Sequence, residues 1–554
     1  MMISVINMSE FVKNEIRTAR MEGYTAQCHG VCRVEGRAVF VPGAMDGELW
    51  RVRITKVTSS AVWGRGEELL EPSPARIVPD CAAYPRCGGC AARHMSYGEE
   101  LAMKLRRVND AIRRIGGLDF TVPEILGADA DGFRRSKVIF NVGERGGRPA
   151  AGFYRARSHD IVPAAECPAV PEAASASEKA VLEWMERYGV PAYDEAAGRD
   201  GVRHIFCRFS RLTGAGVVTL VVSKAPDKRA LDALADMLRG RCPAMTGLVL
   251  NRNTTRGNTV LAGTFETLWG DDTLTESLCG LRFSLSPRSF FQVNPPQAEK
   301  LYQKALEFAA VRPGTRALDL YCGTGTIGLC MADRGAAVIG AEIVPAAVEN
   351  ARRNAGDNAL AGRCEFICAD ASAAAAELRR RGVSPEVIVV DPPRKGLAPE
   401  VIDECVGMAP ERIVYVSCDP GTLARDLGLF SEKGYSLSDA AAVDMFPRTS
   451  HVETVVQLSK GNISSQNVRV EFSLEDMDMS RFQQGATYEQ IQDWVQEKYG
   501  FHVSHLNIAQ VKRKHGIIER ENYNKAKSPD SRQPGCPEDK TKAIEAALRF
   551  YQMI

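Results

Sequence analysis

From about Gln297 to Phe430, helical and strand patterns alternate without a break. The segments PQAEKLYQKALEFAA, RALDLYCG, IGLCMAD, AVIGAEI, PAAVENARRNA, CEFICAD, ASAAAAELRRR, VIVVDPP, APEVIDECV, RIVYVSCD and GTLARDLGLF follow one another in that order. Strands joined by single helices pair in parallel, and an apolar run such as VIVV needs cover on both faces. The pattern predicts a Rossmann-like α/β domain over residues 284–460, closed by two further strands in SLSDAAAVDMF and HVETVVQLS. No other part of the chain constrains the fold as tightly.

That domain cannot be the whole molecule. Single hydrophobic cores stop growing at about 250–300 residues, and the chain has 554. Over residues 12–72, runs such as AVFVPG and LWRVRITKV separated by Gly30, Gly36, Gly43 and Gly47 have the cadence of a small OB-like β-barrel. Residues 73–283 read as an α+β domain: a cysteine-rich knot, a helix over 98–117 expected to pack on the catalytic domain, then strands such as GVVTLVVS and TGLVLNRN. In that helix Leu101, Leu105, Val108, Ile112 and Ile115 recur at helical spacing. GNISSQN reads as a linker, and residues 468–554 as a small, mostly helical extension. Within it TYEQIQDWVQEKYG and SHLNIAQVKRKHG suggest a helix-turn-helix with Lys512, Arg513 and Lys514 on the second helix, a candidate extra nucleic-acid module.

Composition excludes several classes. No apolar run approaches the roughly 18 residues of a membrane span, and the N-terminal residues lack the apolar stretch of a signal peptide. The expectation is a cytoplasmic monomer with no membrane partner. In a reducing compartment sixteen cysteines point to metal binding or catalysis rather than to disulfides. A net charge of +1 argues against coating nucleic acid by bulk charge. Basic residues are nevertheless concentrated at Lys104, Arg106, Arg107, Arg113 and Arg114, and again at Arg134, Arg135, Lys137, Arg145, Arg148, Arg155 and Arg157. That distribution predicts a local electrostatic footprint.

The chemistry-bearing residues fall at strand ends. DLYCGTGTIGL is a Gly-rich turn that ends a strand and opens a helix, where a ligand can approach the backbone closely. Glu342 ends the next strand, placed to accept hydrogen bonds from ribose hydroxyls, and Asp370 ends the third, where an adenine would lie. Together they describe a nucleoside site. Gly323, Gly325 and Gly328 also satisfy G-x-G-x-x-G, so the glycines alone leave a dinucleotide site open. Asp391 in VIVVDPPRKG favours the first reading, because two prolines stiffen a carboxylate able to hold a nucleobase edge. Cys418 in VYVSCDP falls on the same edge as a candidate nucleophile, with Glu453 in HVETVV as a candidate base. Separately, Cys81, Cys87 and Cys90 form a C-x5-C-x2-C run joined downstream by Cys167. Four thiolates suit an iron-sulfur cluster or a tetrahedral zinc. Cys28 and Cys32 read as incidental.

With FFQVNP, DLYCGTGTIGL, DPPRKG, SCDP and HVET read together, residues 12 to about 460 resemble the S-adenosylmethionine-dependent RNA uracil-5-methyltransferases. The resemblance implies that Gln292, Tyr321, Thr326, Glu342, Asp370 and Asp391 surround S-adenosyl-L-methionine, although some relatives have Asn in place of Thr326. Asp391 and Phe290 would also face the target RNA, with Cys418 and Glu453 as catalytic nucleophile and base. The cysteine set is similar to the iron-sulfur branch of the family, which implies a [4Fe-4S] cluster held by Cys81, Cys87, Cys90 and Cys167. The N-terminal barrel resembles a TRAM domain. This combination leans toward 23S rRNA as substrate, with the tRNA T-loop as the alternative. A redox-responsive RNA-binding protein with an inactive methyltransferase fold is the rival from another class.

Overall fold

A computed structural model describes residues 11–58, 61–129, 135–163, 166–194, 197–257, 259–460, 488–515 and 536–550. Arg134, the GNISSQN segment and residues 468–487 lie outside the described residues. The chain divides into two compact units, Met1–Ser464 and Ser465–Ile554.

The first unit begins with β1 (Ile16–Arg20), β2 (Gly23–Tyr24), β3 (Gly30–Val34), β4 (Arg37–Val41), β5 (Leu49–Val57) and β6 (Val62–Glu71). They form one curled sheet in the order β1-β5-β6-β4-β3-β2. Val39, Val41, Val52, Ile54 and Val62 fill its interior together with Cys32. Cys28 is also buried, in a separate cluster with Met45 and Met95. Gly64 permits the curl, because a Cβ there would stand 2.2 Å from the Val52 side chain.

The cysteine loop leads into α1 (Tyr97–Arg114), capped by the Ser96 hydroxyl accepting from the Glu99 amide. Next comes β7 (Ile125–Leu126), then β8 (Lys137–Arg145), β9 (Arg148–Tyr154), β10 (Ile161–Pro163), α2 (Glu172–Tyr188), β11 (Val202–Phe209), β12 (Gly216–Val222), α3 (Lys228–Arg241), β13 (Met245–Arg252) and β14 (Thr264–Gly270). All of these strands except β7 form a seven-stranded sheet in the order β10-β9-β8-β11-β12-β13-β14, parallel only between β12 and β13. Trp184 of α2 and Leu234 of α3 anchor the helices to Phe140, Ile205 and Leu220 of the sheet.

A hairpin, β15 (Leu274–Leu278) and β16 (Leu281–Leu285), precedes α4 (Pro295–Ala309). The alternating region supplies β17 (Arg316–Leu320), α5 (Thr326–Asp333), β18 (Ala337–Glu342), α6 (Pro345–Asp357), β19 (Cys364–Cys368), α7 (Ala371–Arg380), β20 (Val387–Val390), α8 (Pro399–Gly407), β21 (Arg412–Ser417), α9 (Pro420–Glu432), β22 (Tyr435–Val443) and β23 (Glu453–Lys460). The sheet runs β19-β18-β17-β20-β21-β23-β22-β7. β17 to β21 are mutually parallel and β23 runs antiparallel to its neighbours. One core lies on each face: the hairpin, α4, α5 and α6 cover one, and α7, α8, α9 and α1 the other. β7 extends the sheet by pairing with β22 in parallel. α1 and β7 thus belong structurally to this sheet although they lie far upstream in sequence.

The second unit contains α10 (Tyr488–Tyr499), α11 (His505–Lys514) and α12 (Glu538–Phe550), packed through Ile491, Val495, Ile508, Val511, Ile544 and Leu548. Gly500 takes a left-handed conformation (φ 75°) where the first helix ends. Among the described residues no helix is long and apolar enough to cross a membrane.

Candidate active site

The parallel strands end along one edge, and the turns leaving that edge carry most of the sequence-derived site. Tyr321 follows β17, Glu342 ends β18, Asp370 lies just past β19, Asp391 follows β20 and Cys418 follows β21. Glu453 starts the antiparallel β23, and its neighbour Thr454 pairs with Ser417. Reversal of that one strand therefore brings Glu453 beside Cys418, from 35 residues away in sequence.

The turn after β17 is shaped for close approach. Tyr321, Gly323 and Gly325 all have positive φ (67°, 56° and 82°), a left-handed run in which two glycines remove the steric penalty. The Gly328 amide donates to Asp319 Oδ2 at 2.8 Å. A Cβ at Gly328 would lie 2.9 Å from that oxygen, so only glycine lets α5 sit this close to β17. Glu342 is fixed at its strand end: Oε2 accepts from the Gly323 amide (3.1 Å) and Oε1 from the Val344 amide (2.8 Å). Asp370 caps α7 by accepting from the Ser372 amide at 2.9 Å. The Thr326 and Tyr302 hydroxyls are 3.0 Å apart at the start of α5. Gln292 is buried, only 8% exposed.

Cys418, Asp391 and Glu453 form one electrostatic group. Glu453 is 5% exposed. Burial, then the neighbouring Asp391 carboxylate, pushes its carboxyl up to about 8, against the opposing pull of Arg394. Burial alone raises Asp391 to about 7. The Cys418 thiol is pushed up to about 11 by burial, then by Glu453 and Asp391, while Arg394 opposes. Arg394 thus touches this group electrostatically, and its charge also acts on His451, whose pKa falls to about 4 through burial and then the charges of Arg394, Arg107, Lys104 and Arg135. Sequence reading passed over both, although each stands inside a quoted motif, DPPRKG and HVET. It also passed over Asp319, raised to about 8 by burial.

Phe290 is 62% exposed, with the Lys137 ammonium 6.0 Å from its ring centre. Lys137 is pushed down to about 8 by burial and then by Arg208 and Arg135.

The four cysteines of the knot line one cavity of about 780 Å³, together with Arg93, Arg135, Lys137, Val293 and Phe446. Among the described residues no three His, Cys, Asp or Glu side chains are drawn together tightly enough to hold a metal ion. Burial raises Cys87 and Cys167, and Cys90 and Cys81 add to both shifts. The Arg93 Nε donates to Cys90 Sγ at 3.3 Å. The four thiols share the lining of this cavity with the cations Arg93, Arg135 and Lys137.

A doubly wound sheet with a Gly-rich turn after its first strand, a fixed acid at the end of its second and a thiol–carboxylate group further along defines an α/β methyltransferase core. Residues 269–461 match the family described as tRNA (Uracil-5-)-methyltransferase. An RNA methyltransferase of Clostridium tetani is 38% identical over 450 residues, covering 81% of this chain and 97% of that protein. One from Listeria innocua is 37% identical over 447 residues, covering 81% and 98%. Among solved structures, the Pyrococcus abyssi tRNA (uracil-54, C5)-methyltransferase in complex with S-adenosyl-L-homocysteine aligns with a TM-score of 0.65 and 26% identity, covering 80% of this chain and 99% of that one. The chain belongs to the tRNA (uracil-5-)-methyltransferase family and is an S-adenosylmethionine-dependent RNA methyltransferase.

Proposed function

We propose that the protein methylates C5 of a specific uridine in RNA, with Cys418 as covalent nucleophile and Glu453 as the base that removes the C5 proton. The observation that carries this reading is the clustering of buried Glu453 with half-buried Cys418 and Asp391 at one sheet edge, where Asp391 raises Glu453 and both carboxylates raise the Cys418 thiol. Cys418, as the thiolate, adds through Sγ to C6 of the uracil; the C5–C6 π bond opens, the negative charge passes into the resulting enolate, and C5 gains the electron density it lacks in the free base. A C5–methyl bond then forms as the sulfur–methyl bond of the donor breaks. Glu453, ionised, takes the C5 proton; the double bond reforms and the Cys418 thiolate leaves. A carboxyl raised to about 8 is well matched to proton transfer near neutral pH. Asp391, on its Pro-stiffened turn, holds the uracil edge.

Gln292, Tyr321, Thr326, Glu342, Asp370 and Asp391 would hold S-adenosyl-L-methionine, and the left-handed turn and fixed Glu342 carboxylate support that fit. When bound, the donor supplies the methyl group and a sulfonium charge that offsets Asp391 and Glu453 and favours the Cys418 thiolate. Cys81, Cys87, Cys90 and Cys167 would hold a [4Fe-4S] cluster with a structural rather than a redox role, since methyl transfer moves no electrons. Phe290, exposed beside Lys137, stacks on the RNA. Residues 12–72 serve as a TRAM-like RNA-binding barrel.

The favoured substrate is 23S rRNA, on the combination of barrel and four cysteines. A tRNA T-loop uridine is the second reading, favoured by the Pyrococcus abyssi tRNA enzyme that aligns over 80% of the chain. Mapping 5-methyluridine in rRNA and tRNA with and without the gene tests both: loss at one 23S position supports the first, loss in the T-loop the second. Unchanged 5-methyluridine in both RNAs refutes the proposal.

A further inference from the structure

The loop between β22 and β23, residues 444–452, delivers Glu453 to the site, and its sharpest backbone feature is Arg448. Its φ is 68°, the left-handed region that a residue with a Cβ occupies only under strain. Such strain persists only where the surroundings over-determine it. Here the surroundings come from the cysteine loop and the helix after it. The Arg448 carbonyl accepts from both the Ala91 amide (2.9 Å) and the Ala92 amide (3.1 Å), the two residues following Cys90. The Arg448 amide donates to Glu100 Oε1 at 2.6 Å, and its guanidinium donates to the Met95 carbonyl at 3.0 Å. Beyond Arg448 the chain to the base is held taut. Thr449 Oγ1 donates to the Phe446 carbonyl (2.7 Å) and accepts from the His451 amide (3.2 Å), while Arg107 donates to the Ser450 carbonyl (2.7 Å). Phe446, two residues before Arg448, lines the cysteine cavity.

From this we infer that Arg448 is a positioning residue through which the four-cysteine centre fixes the catalytic base: the Ala91 and Ala92 amides hold Arg448 left-handed, and that conformation sets where Glu453 stands relative to Cys418. The inference rests on the roles proposed above for Glu453 and for the cysteines. It assigns the centre a mechanical task in the active site. Relaxation of Arg448 should slow the step that needs Glu453, proton removal from C5, while leaving Cys418 free to add to C6.

The test compares Arg448→Ala, Arg448→Gly and Ala91→Pro in the full chain. The probe is 23S rRNA and tRNA from a strain lacking the gene. Methyl transfer, the protein–RNA covalent complex on denaturing gels and hydrogen exchange of amides 449–453 are followed together. For Arg448→Ala methyl transfer should fall at least about tenfold, since ~1.4 kcal/mol of misplacement suffices. The covalent complex per turnover should rise, and exchange should quicken. Ala91→Pro removes one amide donor and should reproduce all three effects. Arg448→Gly keeps the left-handed turn without strain and should stay within about threefold of the unsubstituted chain. An Arg448→Ala protein that methylates and exchanges normally overturns the inference, as does one in which covalent complex and turnover fall in parallel. If the unsubstituted chain methylates RNA without forming any covalent complex, the catalytic reading itself fails and takes this inference with it.

Discussion

Lys104 Nζ lies 2.6 Å from Asp444 Oδ1, and both side chains are fully buried, although 340 residues separate them. The same ammonium donates to Glu100 Oε1 at 2.8 Å, while Tyr97 donates to the other Asp444 oxygen at 2.8 Å. An isolated buried charge is strongly disfavoured, so these groups are stable only together. They tie α1 to the first residue of the loop that ends at Glu453.

Removing one member of that group leaves the others buried without their partner. Lys104→Met should destabilise the protein by about 3–5 kcal/mol. The triple change Lys104→Met, Glu100→Gln, Asp444→Asn should recover much of that loss. Denaturant midpoints measure both, and a single variant as stable as the unsubstituted chain would count against the pairing.

The covalent route predicts that Cys418→Ala retains RNA binding but loses methylation by at least about a thousandfold, since removing a nucleophile disables the whole catalytic unit. Transfer of labelled methyl groups together with RNA retention on filters reads out the two properties separately. Residual turnover within tenfold of normal would exclude Cys418 as the nucleophile.

A base with a raised pKa works only once ionised. With Glu453 near 8 and the Cys418 thiol near 11 in the free protein, kcat/KM should climb steeply with pH up to about 8 and less steeply above it, where only the thiol still ionises. Stability should move the other way. A carboxyl whose folded pKa exceeds its unfolded value contributes stability that is fully present below the unfolded pKa and is lost as pH rises through the folded one. Melting temperature should therefore decline between about pH 5 and 8, and Glu453→Gln should flatten part of that decline. An unchanged slope in the variant would contradict the burial of an ionisable Glu453.

Phe290 is mostly exposed and contributes little to the core, so Phe290→Ala should change stability by no more than about 0.5 kcal/mol. Loss of one stacked base should raise KM for RNA about tenfold, in line with stacking worth roughly 1–3 kcal/mol. Steady-state kinetics on the mapped substrate provides the check.

Cys167 lies 77 residues beyond Cys90 yet lines the same cavity. Cys167→Ser should reduce bound iron and acid-labile sulfide in protein purified without oxygen to less than about half, because each thiolate is a ligand in a four-cysteine set. Bound zinc in place of iron and sulfide would instead favour the tetrahedral alternative.

The sequence by itself determined the catalytic sheet and the positions of its chemistry. Alternating apolar strands and amphipathic helices call for parallel pairing, and residues at the ends of parallel strands must emerge on one edge, so Glu342, Asp370, Asp391 and Cys418 could be grouped by position alone, while Tyr321 was reached through the family resemblance. Glu453 carried no such guarantee. The antiparallel insertion of β23 between β21 and β22 brings it to the edge where Cys418 stands. The two-residue strand Ile125–Leu126 is too short to show any periodicity, and its place next to β22 depends on partners more than 300 residues away. The same holds for Lys104 with Asp444 and for Ala91 with Arg448: local sequence specifies a helix, a loop and a turn. Which buried charge finds a counter-charge, and which carbonyl finds an amide, is decided when distant segments exclude water from the same space and leave each polar group only the partners within reach.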